Sequence, residues 1–148
     1  MKKILIIDDV GDFRYFLKKN LEMVGDYKVI GAGTGEEGLR LAKKKRPDLI
    51  LLDIVLPKVN GLEVLRELKE GERTRPIPVI MLTSSDEDEN RMKTMNLHGD
   101  GYIDKCSPVL ELEDKIEEVL YRCCYQPREE LRVVMGTVPR WEPDPVPV

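Results

Sequence analysis

The chain has 148 residues, which is enough for one domain with a substantial hydrophobic core and too few for two full domains. Its net charge of −4, with 35% of residues charged, offers no overall basic surface, so we do not expect direct binding of nucleic acid. Apolar runs stay far below the ~18 residues that cross a bilayer. The start, Met-Lys-Lys with four aliphatic residues and two acids after it, predicts a strand rather than a signal peptide.

Apolar runs and amphipathic segments alternate along the first half of the chain. The run from Ile4 to Ile7 is apolar on both faces, which is typical of a central strand in a parallel sheet. The apolar residues after it recur three and four positions apart and predict one buried helix face: Phe13, Phe16, Leu17, Leu21 and Val24. The predicted elements are a strand at 4–7, a helix at 12–24, a strand at 27–30, a Gly-rich turn at 31–35, a helix at 36–45 and a strand at 48–53.

The second half of the chain continues this alternation. The predicted elements are a helix from about 62 to 71, a strand at 79–83, a helix at 85–97, a strand at 99–103 and a helix at 109–124. The helix at 85–97 has an acidic start and few apolar residues, so we expect it to be the least buried helix. The final helix has one strongly apolar face: Leu112, Ile116, Val119, Leu120 and Cys123. Five strand–helix units predict an α/β fold with a parallel sheet between two helix layers, a three-layer α/β/α sandwich.

The chain divides at about residue 125 into a domain, 1–125, and an extension, 126–148. Residues 127–135 predict a short helix with proline at its first position and glycine after it. Because so short a helix is marginal on its own, we expect its apolar side to dock on the domain or on a partner, with Trp141 as a further anchor. The Pro-rich end predicts an extended, polyproline-like linker.

The three cysteines, Cys106, Cys123 and Cys124, are an odd number without the spacing of metal ligands. We therefore expect unoxidised thiols in a reducing cytoplasm. Cys123 and Cys124 are neighbours on the predicted final helix and point to different sides of it. We assign both of them to packing rather than to redox chemistry.

Polar side chains stand at the ends of four predicted strands. Asp8 and Asp9 follow the first strand, Asp53 ends the third, Thr83 ends the fourth and Lys105 follows the fifth. Ligands of open α/β sheets bind outside the carboxyl ends of the strands. The four strand ends therefore predict one shared functional site.

This set of residues, with Tyr102 three positions before Lys105, resembles the signature of two-component response-regulator receiver domains. The set is specific because five positions on four separate strands must agree in residue type and spacing. The resemblance covers about residues 2–125. It implies a flavodoxin-like fold whose five-stranded parallel sheet has the strand order 2-1-3-4-5.

The resemblance also implies a Mg²⁺ site. Carboxylates at 4 Å repel by about 4 kcal/mol per pair at an effective dielectric near 20, and Mg²⁺ takes oxygen ligands while it keeps several waters. On the family pattern, Asp9 and Asp53 bind the ion directly and Asp8 acts mainly through water. The backbone carbonyl of Val55 supplies a further ligand on the same pattern.

On this resemblance Asp53 is the phosphoryl acceptor, which attacks the phosphohistidine of a sensor histidine kinase or a phosphotransfer protein. The Lys105 ammonium and the Thr83 hydroxyl then sense the phosphoryl group. Thr83 moves inward and makes room for the ring of Tyr102, which changes the face formed by the helix at 85–97, the last strand and the final helix. That face selects a downstream protein or controls an output module, and a homodimer is left open.

The position after the lysine departs from the family pattern. Cys106 stands where these domains usually have proline, whose cis peptide bond helps to aim the lysine. A cis bond before a residue other than proline costs about 2.5–4 kcal/mol, against roughly 0.5–1 kcal/mol before proline. The geometry of the Lys105–Cys106 bond is therefore left open.

Two alternative functions compete with that of a receiver. A Mg²⁺-dependent phosphohydrolase of the haloacid dehalogenase type also forms an aspartyl phosphate, but on a strand-one aspartate of an Asp-x-Asp pair, where this chain has Asp8-Asp9-Val10. Signalling without phosphate is disfavoured because no residue of the acidic site is missing. We therefore expect a cytoplasmic signalling module rather than an enzyme, which acts alone or as part of a longer regulator.

Overall fold

The computed structural model describes residues 1–84 and 99–125. The helices predicted at 85–97 and 127–135, and Trp141, lie outside the described residues. The described elements are β1 Lys2–Ile7, α1 Gly11–Val24, β2 Tyr27–Ala32, α2 Gly35–Lys45, β3 Leu49–Asp53, α3 Gly61–Glu70, β4 Val79–Thr83, β5 Gly101–Asp104 and α4 Val109–Tyr125. Within the described residues, no helix is long and apolar enough to cross a membrane.

The five strands form one parallel sheet in the order β2-β1-β3-β4-β5, which confirms the predicted topology. In the register of this sheet, Ile7 lies beside Leu52 and Thr83 lies beside Asp104. The carboxyl ends of β1, β3, β4 and β5 therefore lie along one edge. This edge positions the residues that the sequence singled out.

Hydrophobic residues of the strands alternate between two cores, one on each face of the sheet. In β1, Leu5 and Ile7 join the core beneath α2 and α3, while Ile4 and Ile6 join the core beneath α1 and α4. All four of these side chains are fully buried. Because complete burial of such a side chain contributes roughly 1.5–3 kcal/mol, the alternation fixes the strand on both faces and confirms the three-layer sandwich.

Two helices begin at residues that cap their first turn. The Thr34 hydroxyl accepts a hydrogen bond from the Glu37 amide at the start of α2, and Asn60 Oδ1 accepts one of 2.8 Å from the Leu62 amide at the start of α3. These bonds satisfy amides that have no partner within the helix. The cap of α3 also fixes the end of the loop that follows Asp53.

The predicted buried face of α1 is wrong at two positions. Leu17 and Leu21 are buried, but Phe16 is 50% exposed and Val24 is 38% exposed. One residue turns a helix by about 100°, so Phe16 lies well away from the line through Leu17 and Leu21. Val24, three positions after Leu21, is also rotated off that line and is the last residue of the helix.

The packing role predicted for Cys123 is wrong as well. Leu112, Ile116, Val119 and Leu120 are buried as expected, but Cys123 is exposed and lines an open groove next to Ile77 and Pro78. It lies in the turn of α4 beyond the last buried residues. Cys106 is also exposed, and neither thiol forms a disulfide within the described residues.

Some predicted element boundaries also shift. β2 continues through Gly31 and Ala32, which pair with Ile6 and Ile7, so the predicted turn is shorter. β5 runs from Gly101 to Asp104 rather than over 99–103. The later end of β5 places Lys105 directly after the strand.

Candidate functional site

The carboxyl edge of the sheet brings three carboxylates together. Oxygen atoms of Asp8, Asp9 and Asp53 lie within 4.8 Å of one another. Asp8 has no exposed surface and Asp53 is 5% exposed, whereas Asp9 is exposed. The edge therefore carries a concentrated negative charge, most of it buried.

Lys105 reaches into this cluster from the end of β5. Its Nζ atom lies 2.7 Å from Asp8 Oδ2 and 3.1 Å from Asp53 Oδ2. The contact with Asp53 is a hydrogen bond, whereas the contact with Asp8 is an ion pair that lacks the orientation of a hydrogen bond. Among the described residues, Asp8 Oδ2 is therefore a buried oxygen that contacts a cation but accepts no well-oriented hydrogen bond.

The backbone holds the other oxygen of each buried carboxylate. Asp8 Oδ1 accepts a hydrogen bond of 2.8 Å from the Val10 amide, and Asp53 Oδ1 accepts one of 3.2 Å from the Val55 amide. These bonds orient both carboxylates so that their Oδ2 atoms converge on the Lys105 ammonium. The convergence is thus built into the loops after β1 and β3.

Burial and charge shift the pKa values of two groups in the site. The pKa of Asp53 is raised to about 6, first by burial and then by the negative charge of Asp8, while Lys105 and the Val55 amide act in the opposite direction. Burial lowers the pKa of Lys105, but the close contacts of its ammonium with the two carboxylates and their negative charges outweigh burial, so its pKa is raised overall. A negative Asp53 is therefore costly in the folded protein, and a positive charge nearby favours it.

The residues present fit a Mg²⁺ ion. Carboxylate oxygens are the ligands that Mg²⁺ takes in proteins, and one or two of them usually suffice alongside bound waters. Asp8 Oδ2 is buried without a hydrogen bond, and the exposure of Asp9 leaves one side of the cluster open to water. The amide of Val55 donates a hydrogen bond to Asp53, so the carbonyl group of Val55, the further ligand expected from the sequence, belongs to the same loop as the acceptor carboxylate.

Thr83 and Tyr102 stand on the two strands beside this cluster. The Thr83 side chain is buried at the end of β4, and its carbonyl oxygen accepts a hydrogen bond of 2.8 Å from the Lys105 amide. Tyr102 pairs with Met81 across the strands and is 36% exposed. The structure thus places Thr83 beside the backbone of Lys105 and leaves the ring of Tyr102 partly exposed at the surface.

The loop after β5 presents Lys105 without a cis peptide bond, because no peptide bond among the described residues is cis. The Cys106 amide, which a proline would lack, donates a hydrogen bond of 2.7 Å to Asp104 Oδ1. The Ser107 amide donates to the carbonyl of the same residue. Asp104 therefore organises the turn that follows Lys105.

Two residues of α1 contribute to the site and were not assigned to it from the sequence. The Lys105 ammonium lies 4.6 Å from the centroid of the Phe13 ring, a cation–π distance. Arg14 Nη1 donates a hydrogen bond of 2.6 Å to the carbonyl oxygen of Asp8. The sequence does offer one sign of their role, because both residues lie in the first turns of the helix that follows Asp8 and Asp9.

Comparisons with known proteins agree on one family. Residues 4–117 match the response regulator receiver domain. The chain is 38% identical over 121 residues to the alkaline phosphatase synthesis transcriptional regulatory protein PhoP of Bacillus subtilis, which covers 82% of this chain and 49% of that protein. It is also 38% identical to the phosphate regulon transcriptional regulatory protein PhoB of Pseudomonas aeruginosa, with 82% of this chain and 52% of that protein covered. The chain thus spans about half the length of these curated relatives.

Solved structures give the same result. A CheY-like response regulator receiver domain protein from Methanospirillum hungatei superposes with a TM-score of 0.74 at 33% identity, over 83% of this chain and 96% of that one. A response regulator receiver domain protein from Clostridium thermocellum superposes with a TM-score of 0.74 at 30% identity, over 82% of this chain and 96% of that one. Both similarities extend over about four fifths of this chain.

Proposed function

Because the chain belongs to the response regulator receiver domain family of two-component signalling, we propose that Asp53 is its phosphoryl acceptor. The observation that carries this proposal is the convergence of two buried carboxylates, Asp8 and Asp53, on Lys105. The same membership favours a signalling module over the phosphohydrolase considered from the sequence, which would use a strand-one aspartate.

Asp9 and Asp53 hold Mg²⁺ directly in this proposal, Asp8 acts mainly through a water, and the Val55 carbonyl completes the protein's share of the ligands. The buried Asp8 Oδ2 without a hydrogen bond and the three carboxylates within 4.8 Å support this assignment. When bound, the ion neutralises charge on the carboxylates and on the oxygens of the transferred phosphoryl group.

Asp53 is the nucleophile of the transfer. One of its carboxylate oxygens attacks the phosphorus of a phosphohistidine, the oxygen–phosphorus bond forms and the nitrogen–phosphorus bond breaks. Phosphoryl transfer depends on positioning and on compensating charge more than on proton chemistry. The amide of Val55 positions the attacking carboxylate, and the Lys105 ammonium supplies positive charge beside it.

The phosphoryl group on Asp53 then forms new contacts with the side chains around it. Lys105 binds a phosphoryl oxygen, and the Thr83 hydroxyl donates to another, which draws that side chain inward. The space that Thr83 leaves admits the ring of Tyr102, and the surface around β5 and α4 changes. A shift from 1:99 to 99:1 requires roughly 5.5 kcal/mol of preference, to which charge-assisted hydrogen bonds of about 1.5–3 kcal/mol each contribute.

The partners follow from this role. Upstream, a sensor histidine kinase or a phosphotransfer protein donates the phosphoryl group in the cytoplasm. Downstream, the changed surface binds another protein, a second copy of the chain, or an output module of a longer regulator. The two relatives described above are named as transcriptional regulators, and this chain matches about half of each.

Labelling with a small phosphodonor tests the proposal. The protein incubated with acetyl phosphate and Mg²⁺ should gain one phosphoryl group by intact mass, and EDTA or Asp53→Asn should prevent the gain. Asp26→Asn is the matched control because Asp26 is an exposed aspartate that precedes β2, at the opposite edge of the sheet from Asp53. Thr83→Ala should still be labelled, but phosphorylation of this variant should no longer change the surface around β5 and α4. Labelling that persists in Asp53→Asn would assign the acceptor to another residue.

A further inference from the structure

A groove of about 630 Å³ lies at the opposite edge of the sheet from Asp53. Pro47 precedes β3, and Ile77 and Pro78 precede β4, so these lining residues mark the amino ends of the two strands. All three are buried and form an apolar floor. Arg46 and Arg73 are exposed and form the rim. The site for the phosphoryl group makes no use of this groove.

The chain passes this groove as it leaves the last helix. Cys123 lines the groove, and α4 ends at Tyr125. Residues 126–148, which follow, carry the single tryptophan of the chain, Trp141, with Glu142 and Asp144 directly after it among prolines. The link between Tyr125 and Trp141 reaches up to ~50 Å when extended, so it permits the tryptophan to return to the groove.

The charge around the groove suits those acidic residues. Arg73 also lines a second groove of about 610 Å³, between α2 and the loop after α3, where Arg40, Lys43 and Lys44 are the other lining cations and Glu36 is the lining acid. Within residues 1–84 and 99–125, four of the cations that line the two grooves have no acidic partner at ion-pair distance: Lys43, Lys44, Arg46 and Arg73. This cationic surface contrasts with the net charge of −4 for the whole chain.

We propose that the groove binds the chain's own residues 141–144. The Trp141 indole lies on the apolar floor, where an aromatic side chain buries a large area and an arginine on the rim contacts its face. Glu142 and Asp144 point towards Arg73 and the second groove. Asp48 and Glu72 also line the first groove, which directs the acidic residues of the segment to the Arg73 side. Tethering makes the binding intramolecular, with an effective concentration on the order of millimolar.

The fluorescence of the single tryptophan of the full chain tests this proposal. The emission of Trp141 should be blue-shifted relative to a synthetic peptide of residues 136–148, with a several-fold smaller acrylamide quenching constant. Arg73→Glu should abolish both differences, and the charge swap Arg73→Glu with Glu142→Arg should restore them. Lys28→Glu is the matched control because Lys28 is an exposed cation on β2 that does not line either groove.

Three outcomes would overturn the proposal. Emission and quenching equal to those of the peptide would show that the tryptophan is not docked. A blue shift that survives Arg73→Glu unchanged would place the indole elsewhere on the protein. A blue shift that disappears on dilution would show that the groove takes the segment of a second copy. None of these readouts depends on phosphorylation, so their failure leaves the role of Asp53 untouched.

Discussion

The ammonium of Lys105 lies 2.7 Å from Oδ2 of Asp8, a carboxylate with no exposed surface. This contact compensates a charge that water cannot reach, and the same ammonium also binds Asp53. One lysine thus balances two buried carboxylates. A bound divalent cation would compensate the same charges, so the lysine and the metal act on one electrostatic balance.

Removal of the lysine charge should expose this balance. Lys105→Met keeps an apolar side chain against Phe13 but leaves the Asp8 carboxylate without its cation, so the free energy of unfolding in EDTA should fall by on the order of 3 kcal/mol. Saturating Mg²⁺ should restore part of the loss. Urea denaturation with and without Mg²⁺ measures both effects.

Lys115→Met is the control for that experiment, because Lys115 makes a more exposed ion pair of 3.5 Å with Glu118. Exposed ion pairs contribute about 0–1 kcal/mol to the free energy of unfolding. Mg²⁺ should not change the small loss of stability that Lys115→Met causes. Equal losses in the two variants would contradict a special role of Lys105 in the acidic pocket.

The raised pKa of Asp53 predicts a pH-dependent effect of Asp53→Asn. The carboxyl ionises near pH 3.9 in the unfolded chain and at about 6 in the folded protein. At about pH 3 and below, both states are protonated, so the variant and the wild type should have similar stability. Between pH 4 and 6 the unfolded state ionises first and the wild type loses stability, so above pH 6 the metal-free variant should be more stable by on the order of 2 kcal/mol.

Thermal unfolding of the metal-free proteins from about pH 3 to 8 checks this prediction. Asp26→Asn serves as the reference, because this exposed carboxylate should give no such divergence. Mg²⁺ should reverse the order at pH 7 by stabilising the wild type more than the variant, since a ligand stabilises the state that binds it. A variant that is less stable than the wild type throughout the metal-free series would contradict the cost assigned to the Asp53 charge.

The sheet and the main residues of the site could be predicted from the sequence because both depend on local patterns. Apolar runs such as Ile4 to Ile7 mark central strands, and the polar residue after each run marks a strand end. The strand order came from the family resemblance rather than from periodicity. The exposure of Phe16 could not be predicted, because a repeat of apolar residues does not reveal how wide a strip the sheet covers.

The geometry around Lys105 also lay beyond the sequence. We expect the direction of its side chain to depend on Asp104, whose carboxylate accepts a hydrogen bond from the Cys106 amide, and on the Phe13 ring, which lies far away along the chain. The first contact is local, two residues along the chain, and aspartate often makes it in turns, but the sequence does not show that it directs the lysine. The second depends on the fold, which brings the end of β5 and the start of α1 to the same edge of the sheet.

Asp104 should position Lys105, and Asp104→Ala tests this role. Loss of the acceptor for the Cys106 amide removes a hydrogen bond of 2.7 Å that shapes the turn, so the rate of labelling by acetyl phosphate should fall several-fold. Stability should fall by only about 0.5–1.5 kcal/mol. Asp104→Asn keeps the Oδ1 acceptor and should behave like the wild type. If the Ala and Asn variants label at the same rate, the hydrogen bond does not position the lysine.

The close approach of Gly61 to the loop after β3 leads to the last prediction. A Cβ atom at this position would fall on the carbonyl oxygen of Asp53 and 2.6 Å from the carbonyl oxygen of Ile54, and backbone atoms cannot yield as a flexible side chain can. Gly61→Ala should therefore displace the loop that orients Asp53, destabilise the protein by about 1–3 kcal/mol and slow labelling.

The matched control is Gly11→Ala in the first turn of α1. The nearest atom to a Cβ at Gly11 is Nη2 of the flexible Arg14 side chain, at 3.6 Å, and alanine is favoured over glycine in helices by up to about 1 kcal/mol. This variant should be neutral or slightly stabilised and should label normally, although Gly11 lies close to Asp8 and Asp9 in the sequence. Chemical denaturation and labelling of both variants compare the two positions. Normal labelling of Gly61→Ala would show that the loop adjusts without moving the acceptor carboxylate.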